Sequence, residues 1–129
     1  MIAKNSANGN SLLHAINVSK EYKNGERTLP VLHAINLSIE KGEIVVIVGA
    51  SGAGKSTLLH ILGILDTPTS GSVIYKGINL TTLSAKKQAE MRNHIFGFVF
   101  QFYHLLPDFT ALENVLLPSL IGSRPKNKN

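Results

Sequence analysis

The sequence predicts an α/β fold. Three observations carry that prediction: period-two alternation in two stretches near the start, a continuous run at Ile44-Val45-Val46-Ile47-Val48, and a glycine-rich loop after it that leads into an apolar helix. Alternation marks strands with one buried face, whereas an unbroken run of β-branched residues marks a strand buried on both faces, as in a parallel sheet. The chain has 129 residues, enough for one domain. Its hydrophobic fraction of 43% against a charged fraction of 16% allows a packed core and argues against a disordered chain.

Residues 1–11 are polar and read as a disordered tail. They lack the apolar run of a signal peptide, which points to a cytoplasmic protein. Leu12 to Tyr22 alternates through Ile16 and Val18, Lys23 to Glu26 is a turn, and Val31 to Ile39 alternates again through Ile35, Leu37 and Ile39. The strings Leu13 to Asn17 and Leu32 to Asn36 are identical. One short match is no solenoid repeat, so these are two strands with one pattern, and His14 and His33 are strand-face residues rather than ligands. Lys55 to Leu62 is a helix with Leu58, Leu59, Ile61 and Leu62 facing inward. A loop over Thr67 to Gly71 and a short strand over Ser72 to Lys76 follow. Ser84 to Asn93 is a polar helix, and Ile95 to Phe100 is a strand whose alternation accounts for Phe98, Phe100 and Phe102 more simply than a base-stacking platform does. Thr110-Ala111-Leu112-Glu113 is a capping box opening a helix that kinks or stops at Pro118. Residues 12–121 form the domain, and residues 122–129 a polar, basic tail.

Thirteen basic against eight acidic residues give a formal charge of +5, but the basic residues form no stripe or long block, so no nucleic-acid partner is expected. There is no cysteine, which excludes disulfides and thiolate chemistry. The longest apolar runs fall far short of the ~20 residues that span a bilayer, so any membrane association goes through a partner.

The segment that carries chemistry is Gly49-Ala50-Ser51-Gly52-Ala53-Gly54-Lys55-Ser56-Thr57. It satisfies G-x-x-x-x-G-K-[ST] and lies between a strand pattern and a helix pattern, the context a phosphate-binding P-loop needs. Glycines at 49, 52 and 54 let the backbone curl close to phosphate oxygens, and the freed N–H groups face an anion at the positive end of the helix. Lys55 supplies a full positive charge to the β- and γ-phosphates of a nucleotide. Ser56 supplies a hydroxyl to the Mg²⁺ that bridges them, and Thr57 a contact to the α-phosphate. The bare pattern arises by chance in on the order of one in a few hundred chains of this size.

With those residues in hand the chain resembles ABC transporter ATPases. Val31 to Leu62, Asp66 to Tyr75 with Pro68-Thr69-Ser70-Gly71, and Ile95 to Gln101 each look like successive segments of that family. Phe102 to Val115 resembles the lipoprotein-releasing (Lol) group among the cassettes that serve macrolide-exporter-type permeases. The resemblance implies a P-loop NTPase core with an antiparallel β subdomain and ATP with Mg²⁺ as ligands. It further implies integral membrane permease subunits and a second ATPase copy as partners, and a peripheral place on the inner face of the cytoplasmic membrane. Tyr22 matches the aromatic that stacks on adenine, and Gln101 the glutamine that reaches Mg²⁺ and couples the site to the permease. The resemblance stops before the family's signature motif, its Walker B strand with the catalytic carboxylate, its switch histidine and most of the helical subdomain. Ile64-Leu65-Asp66 follows the P-loop helix too closely to be that strand and is a helix-ending loop. The fold is therefore expected to be incomplete and this chain alone inactive in hydrolysis, a nucleotide-binding fragment. A small self-standing P-loop kinase or GTPase is the other class, but an arginine-rich lid and an Asn-Lys-x-Asp motif are both lacking.

Overall fold

The computed structural model describes residues 11–121. The expected tails over residues 1–11 and 122–129 lie outside them except for Ser11, which is the first residue of a strand and not part of a tail. The described residues divide between Ser84 and Ala85 into two compact units.

The first unit is built on a long hairpin. Strand β1 (Ser11–Asn24) turns through Gly25 and Glu26 into β2 (Arg27–Glu40), so both strands run further than their alternation suggested. Strand β3 (Ser70–Tyr75) pairs antiparallel with the other side of β1, and the short β4 (Ile78–Asn79) pairs with β3, giving a four-stranded antiparallel sheet in the order β2-β1-β3-β4. Helix α1 (Lys55–Leu62) begins and ends where expected. It buries Leu58, Ile61 and Leu62, while Leu59 is 54% exposed and faces outward, against expectation. On a helix Leu58, Ile61 and Leu62 share one stripe and position 59 lies 100° round from 58, off its centre. With these three side chains, Leu13, Ala15, Val18, Leu32, Ile64, Val73 and Leu80 form the core. Full burial of each large side chain contributes about 1.5–3 kcal/mol.

The register between β1 and β2 shifts between Ala15 and Val18, where Asn17 takes a left-handed φ of 49°. The repeated motif explains how the irregularity is held: the Asn36 side chain accepts from the Asn17 amide at 3.0 Å and donates to the Asn17 side chain at 2.9 Å. Strand β3 passes this bulge at Gly71. A Cβ there would lie 2.3 Å from the Asn17 carbonyl oxygen, so only glycine permits the approach.

Ile44–Val48 is not a strand. Ile44 is 90% exposed and Val46 and Val48 are each 75% exposed. A parallel strand is buried by its ladder neighbours and the helices that cover them. Among the described residues no strand pairs with this segment. Between it and β2 lies an open groove of about 320 Å³, lined by His33, Ile35, Leu37, Val45 to Val48 and Leu58.

The second unit holds α2 (Ala85–Ile95) and α3 (Ala111–Ile121). The strand expected over Ile95 to Phe100 is absent, because Ile95 closes α2 and residues 96–100 are irregular. In place of strand alternation, Phe96, Phe98 and Phe100 form a local ring ladder with centroid spacings of 6.2 and 5.6 Å, and His104 meets Phe100 edge-on at 4.8 Å. The capping box forms: the Glu113 carboxylate accepts from the Thr110 amide at 2.8 Å, and the Glu113 amide donates to the Thr110 hydroxyl at 3.3 Å. The Thr110 amide's bond and the 2.7 Å bond that the Thr110 hydroxyl donates to the same carboxylate oxygen hold the exposed Glu113 carboxyl below its ordinary range. Asn114 ties the preceding loop to the helix through Leu106 and the carbonyls of Phe109 and Thr110. Helix α3 does not stop at Pro118 but runs through it to Ile121.

Candidate nucleotide site

The chain leaves Val48 and curls from Gly49 to Gly54 directly into α1. Gly54 has φ 85°, and its Cα rests on β2: a Cβ there would lie 2.9 Å from Leu32 Cδ2 and 3.0 Å from the Val31 carbonyl oxygen. Glycine at this point lets the helix start settle on the sheet. The Lys55 ammonium reaches back across the loop and donates to the carbonyls of Gly49 at 2.8 Å and Ala50 at 2.6 Å. The Ala53 amide also donates to the Ala50 carbonyl at 3.2 Å, which closes the loop. No side chain caps the start of α1 and no acid occupies its first turn. The positive end of the helix, the Lys55 charge and the exposed Ser56 hydroxyl therefore stand together at one loop. Thr57, half-buried, sits on the same turn. This is donor chemistry suited to a polyphosphate and to a hard cation bridging its oxygens.

Tyr22 lies on β1 opposite Leu29 of β2, and is 42% exposed. Leu29 is three residues from Leu32, the neighbour of Gly54, or about 10 Å along a strand. That span is comparable to the one between the phosphates and base of a nucleotide. The Tyr22 hydroxyl donates to Asp66 Oδ2 at 2.8 Å. Lys20, two residues earlier on the same strand face, donates to Asp66 Oδ1 at 2.7 Å and to the Thr67 carbonyl at 2.6 Å, and its Nζ lies 4.9 Å from the Tyr22 ring centroid. Partial burial alone pushes the Asp66 carboxyl up. The bonds from Lys20, Tyr22 and the Thr67 amide outweigh it, and the carboxyl lies below its ordinary range. Sequence reasoning missed this cluster. Its signals were Lys20 and Tyr22 on one face of a strand and an acid in the loop that ends α1.

Gln101 belongs to the second unit, where it is exposed in a bend. Among the described residues no group of three or more His, Asp or Glu could by itself hold a metal ion, and no helix is long and apolar enough to cross a membrane.

Comparison with known proteins agrees with this geometry. The family model for the ABC transporter matches residues 32–129. The lipoprotein-releasing system ATP-binding protein LolD of Shewanella frigidimarina (strain NCIMB 400) is 53% identical over 118 residues, covering 92% of this chain and 49% of the relative. Two solved structures have a TM-score of 0.83 at 44% identity, covering 88% of this chain and 49% of theirs. One is described as the dimeric structure of a post-hydrolysis state of the ATP-binding cassette MJ0796 bound to ADP and Pi, the other as the dimeric structure of MJ0796, a bacterial ABC transporter cassette. The chain thus spans about half the length of the relatives it matches. With the family match covering most of its residues, and the fold and loop as described, this chain belongs to the ABC transporter family as part of its ATP-binding domain.

Proposed function

We propose that the chain binds Mg-ATP through Gly49 to Thr57, as part of the ATP-binding subunit of a lipoprotein-releasing ABC transporter. The observation that carries the nucleotide reading is Lys55, held over a closed loop by the carbonyls of Gly49 and Ala50 at a helix start without a side-chain cap. The backbone of Gly49, Ala50, Ser51, Gly52, Ala53 and Gly54 wraps the β-phosphate. Lys55 offsets charge on the β- and γ-phosphates, and Thr57 contacts the α-phosphate. Adenine stacks on Tyr22, an amphipathic ring that asks little of the base edge. Ser56 is the residue of this loop that would hold Mg²⁺, which neutralises charge on the phosphate oxygens when bound, and Gln101 is assigned to Mg²⁺ by the family resemblance alone. These groups bind ground and transition states about equally, so they hold nucleotide without raising its rate of hydrolysis.

The lipoprotein-releasing assignment is supported by 53% identity to LolD over 118 residues, and residues 12–121 are taken as the partial ATP-binding domain. On this reading the working subunit sits on the inner face of the cytoplasmic membrane against integral permease subunits, paired with a second ATPase copy. The dimeric description of the solved relatives supports that pairing. Calorimetric titration of the full chain with Mg-ADP tests the nucleotide reading. Saturable binding that disappears in Lys55→Ala is expected, and equal affinity in the two proteins removes the P-loop role.

A further inference from the structure

We infer that Asp66 is a positioning residue for the nucleotide base: it anchors the Tyr22 hydroxyl and, through Lys20, covers one face of the Tyr22 ring, so that the opposite face is presented edge-fixed to a purine. The inference rests on the nucleotide reading above and adds a specificity element to the same site.

The two oxygens of Asp66 divide the work. Oδ2 accepts from Tyr22 at 2.8 Å and Oδ1 accepts from Lys20 at 2.7 Å. The loop that carries Asp66 is itself fixed. The amides of Leu65 and Asp66 donate to the His60 carbonyl at the end of α1, and the Thr69 amide donates to the Ser19 carbonyl on β1. The Thr67 amide donates to Asp66 Oδ1 at 2.7 Å. Asp66 is thereby placed by the same helix that the P-loop starts, and it reaches over to hold an aromatic ring on the hairpin.

A strand-borne tyrosine with an exposed ring has two torsions to lose on stacking. Here the hydroxyl anchor and the ammonium at 4.9 Å from the ring centroid restrict both before any base arrives. The Lys20 side chain, only 12% exposed, is committed to Asp66 and Thr67, so one ring face is taken and the other is the stacking face. The ligand class that benefits carries both a polyphosphate and a flat base. A bare polyphosphate gains nothing from the ordered ring.

The test compares Mg-ADP with Mg-tripolyphosphate, which has no base, on the full chain and on Tyr22→Phe, Asp66→Ala and the double variant. Tyr22→Phe keeps the ring and removes the anchor. Asp66→Ala removes both acceptor oxygens, whereas asparagine could still accept from Lys20 and donate to the Tyr22 hydroxyl. Each single variant is expected to weaken ADP roughly 3- to 10-fold, the effect of leaving one side chain to be ordered on binding. The double variant is expected to weaken it no further than Asp66→Ala alone, and tripolyphosphate affinity is expected to stay within about twofold. The inference is overturned if Asp66→Ala leaves ADP unchanged, weakens both ligands alike, or adds its loss in full to that of Tyr22→Phe. Wild-type chain that binds neither ligand would remove the nucleotide reading and this inference with it. Binding abolished by Lys55→Ala but indifferent to Asp66→Ala removes the positioning role alone.

Discussion

Gly52 and Gly54 stand two residues apart in the same loop, with φ of 77° and 85°, yet replacing them by alanine should have unequal effects. Both substitutions force a Cβ into left-handed backbone, at about 1–2 kcal/mol. At Gly52 nothing lies within 4 Å of the added carbon, so strain is the whole effect. At Gly54 the carbon would sit 2.9 Å from Leu32 Cδ2 and 3.0 Å from both Val31 Cγ1 and the Val31 carbonyl oxygen. Leu32 is 1% exposed and cannot swing into solvent, so α1 must lift from β2. Overpacking of this kind adds about 1–3 kcal/mol. Urea unfolding of the full chain followed by circular dichroism measures the difference. With a slope of about 1–2 kcal/mol/M, Gly54→Ala should unfold at roughly 1 M less urea than Gly52→Ala. Coincident midpoints would refute the claim that Gly54 is where the loop seats on the sheet.

Gly71→Ala places a carbon 2.3 Å from the Asn17 carbonyl oxygen and 2.6 Å from that of Ile16, both backbone atoms, and should lower the same midpoint at least as much as Gly54→Ala. The Asp66 carboxyl lies below its ordinary 3.8 in the folded chain, so its contribution is complete above that value and is lost as pH falls through the folded one. An acid titration monitored by circular dichroism should therefore show a loss of stability below about pH 4 that is shallower in Asp66→Asn. Purified residues 1–129 should release phosphate from ATP at the rate of the Lys55→Ala control. Asp66, the carboxylate placed in the site, is committed to Lys20, Tyr22 and the Thr67 amide, so the about 10²–10⁴-fold that a general base contributes in such reactions is not expected, and lysine-dependent turnover would show otherwise.

Local chemistry was legible in the sequence, and partner-dependent structure was not. The curl from Gly49 into α1, the first residue of α1 and the Thr110–Glu113 capping box follow from residue types at fixed short spacings and took the local form expected, although the strand expected before the loop did not. The β1–β2 hairpin was legible because alternation and an Asn24-Gly25 turn agree. Ile44 to Val48 and Ile95 to Phe100 failed as strands for a common reason. An apolar run becomes a strand only when other strands complete its ladder, and such partners lie far away in sequence. The Phe96–Phe98–Phe100 ladder then satisfied locally what a sheet would have satisfied at a distance. The Asp66 cluster joins residues 44 and 46 positions apart. No local pattern announces such a contact, although the identity of Asp66 as a helix-ending loop residue was correctly read.

The central claim, that Gly49 to Thr57 holds the phosphates and Tyr22 the base of one nucleotide, is tested most directly by amide chemical-shift mapping on the full isotope-labelled chain during titration with Mg-ADP. The largest shifts are expected at the amides of Gly52 to Thr57, with a second, smaller group at Tyr22 and its neighbours Lys20 and Asp66, and none at Ile74 or Ile78 on the far strands. Shifts that spare Gly52 to Thr57 and gather elsewhere would contradict the account.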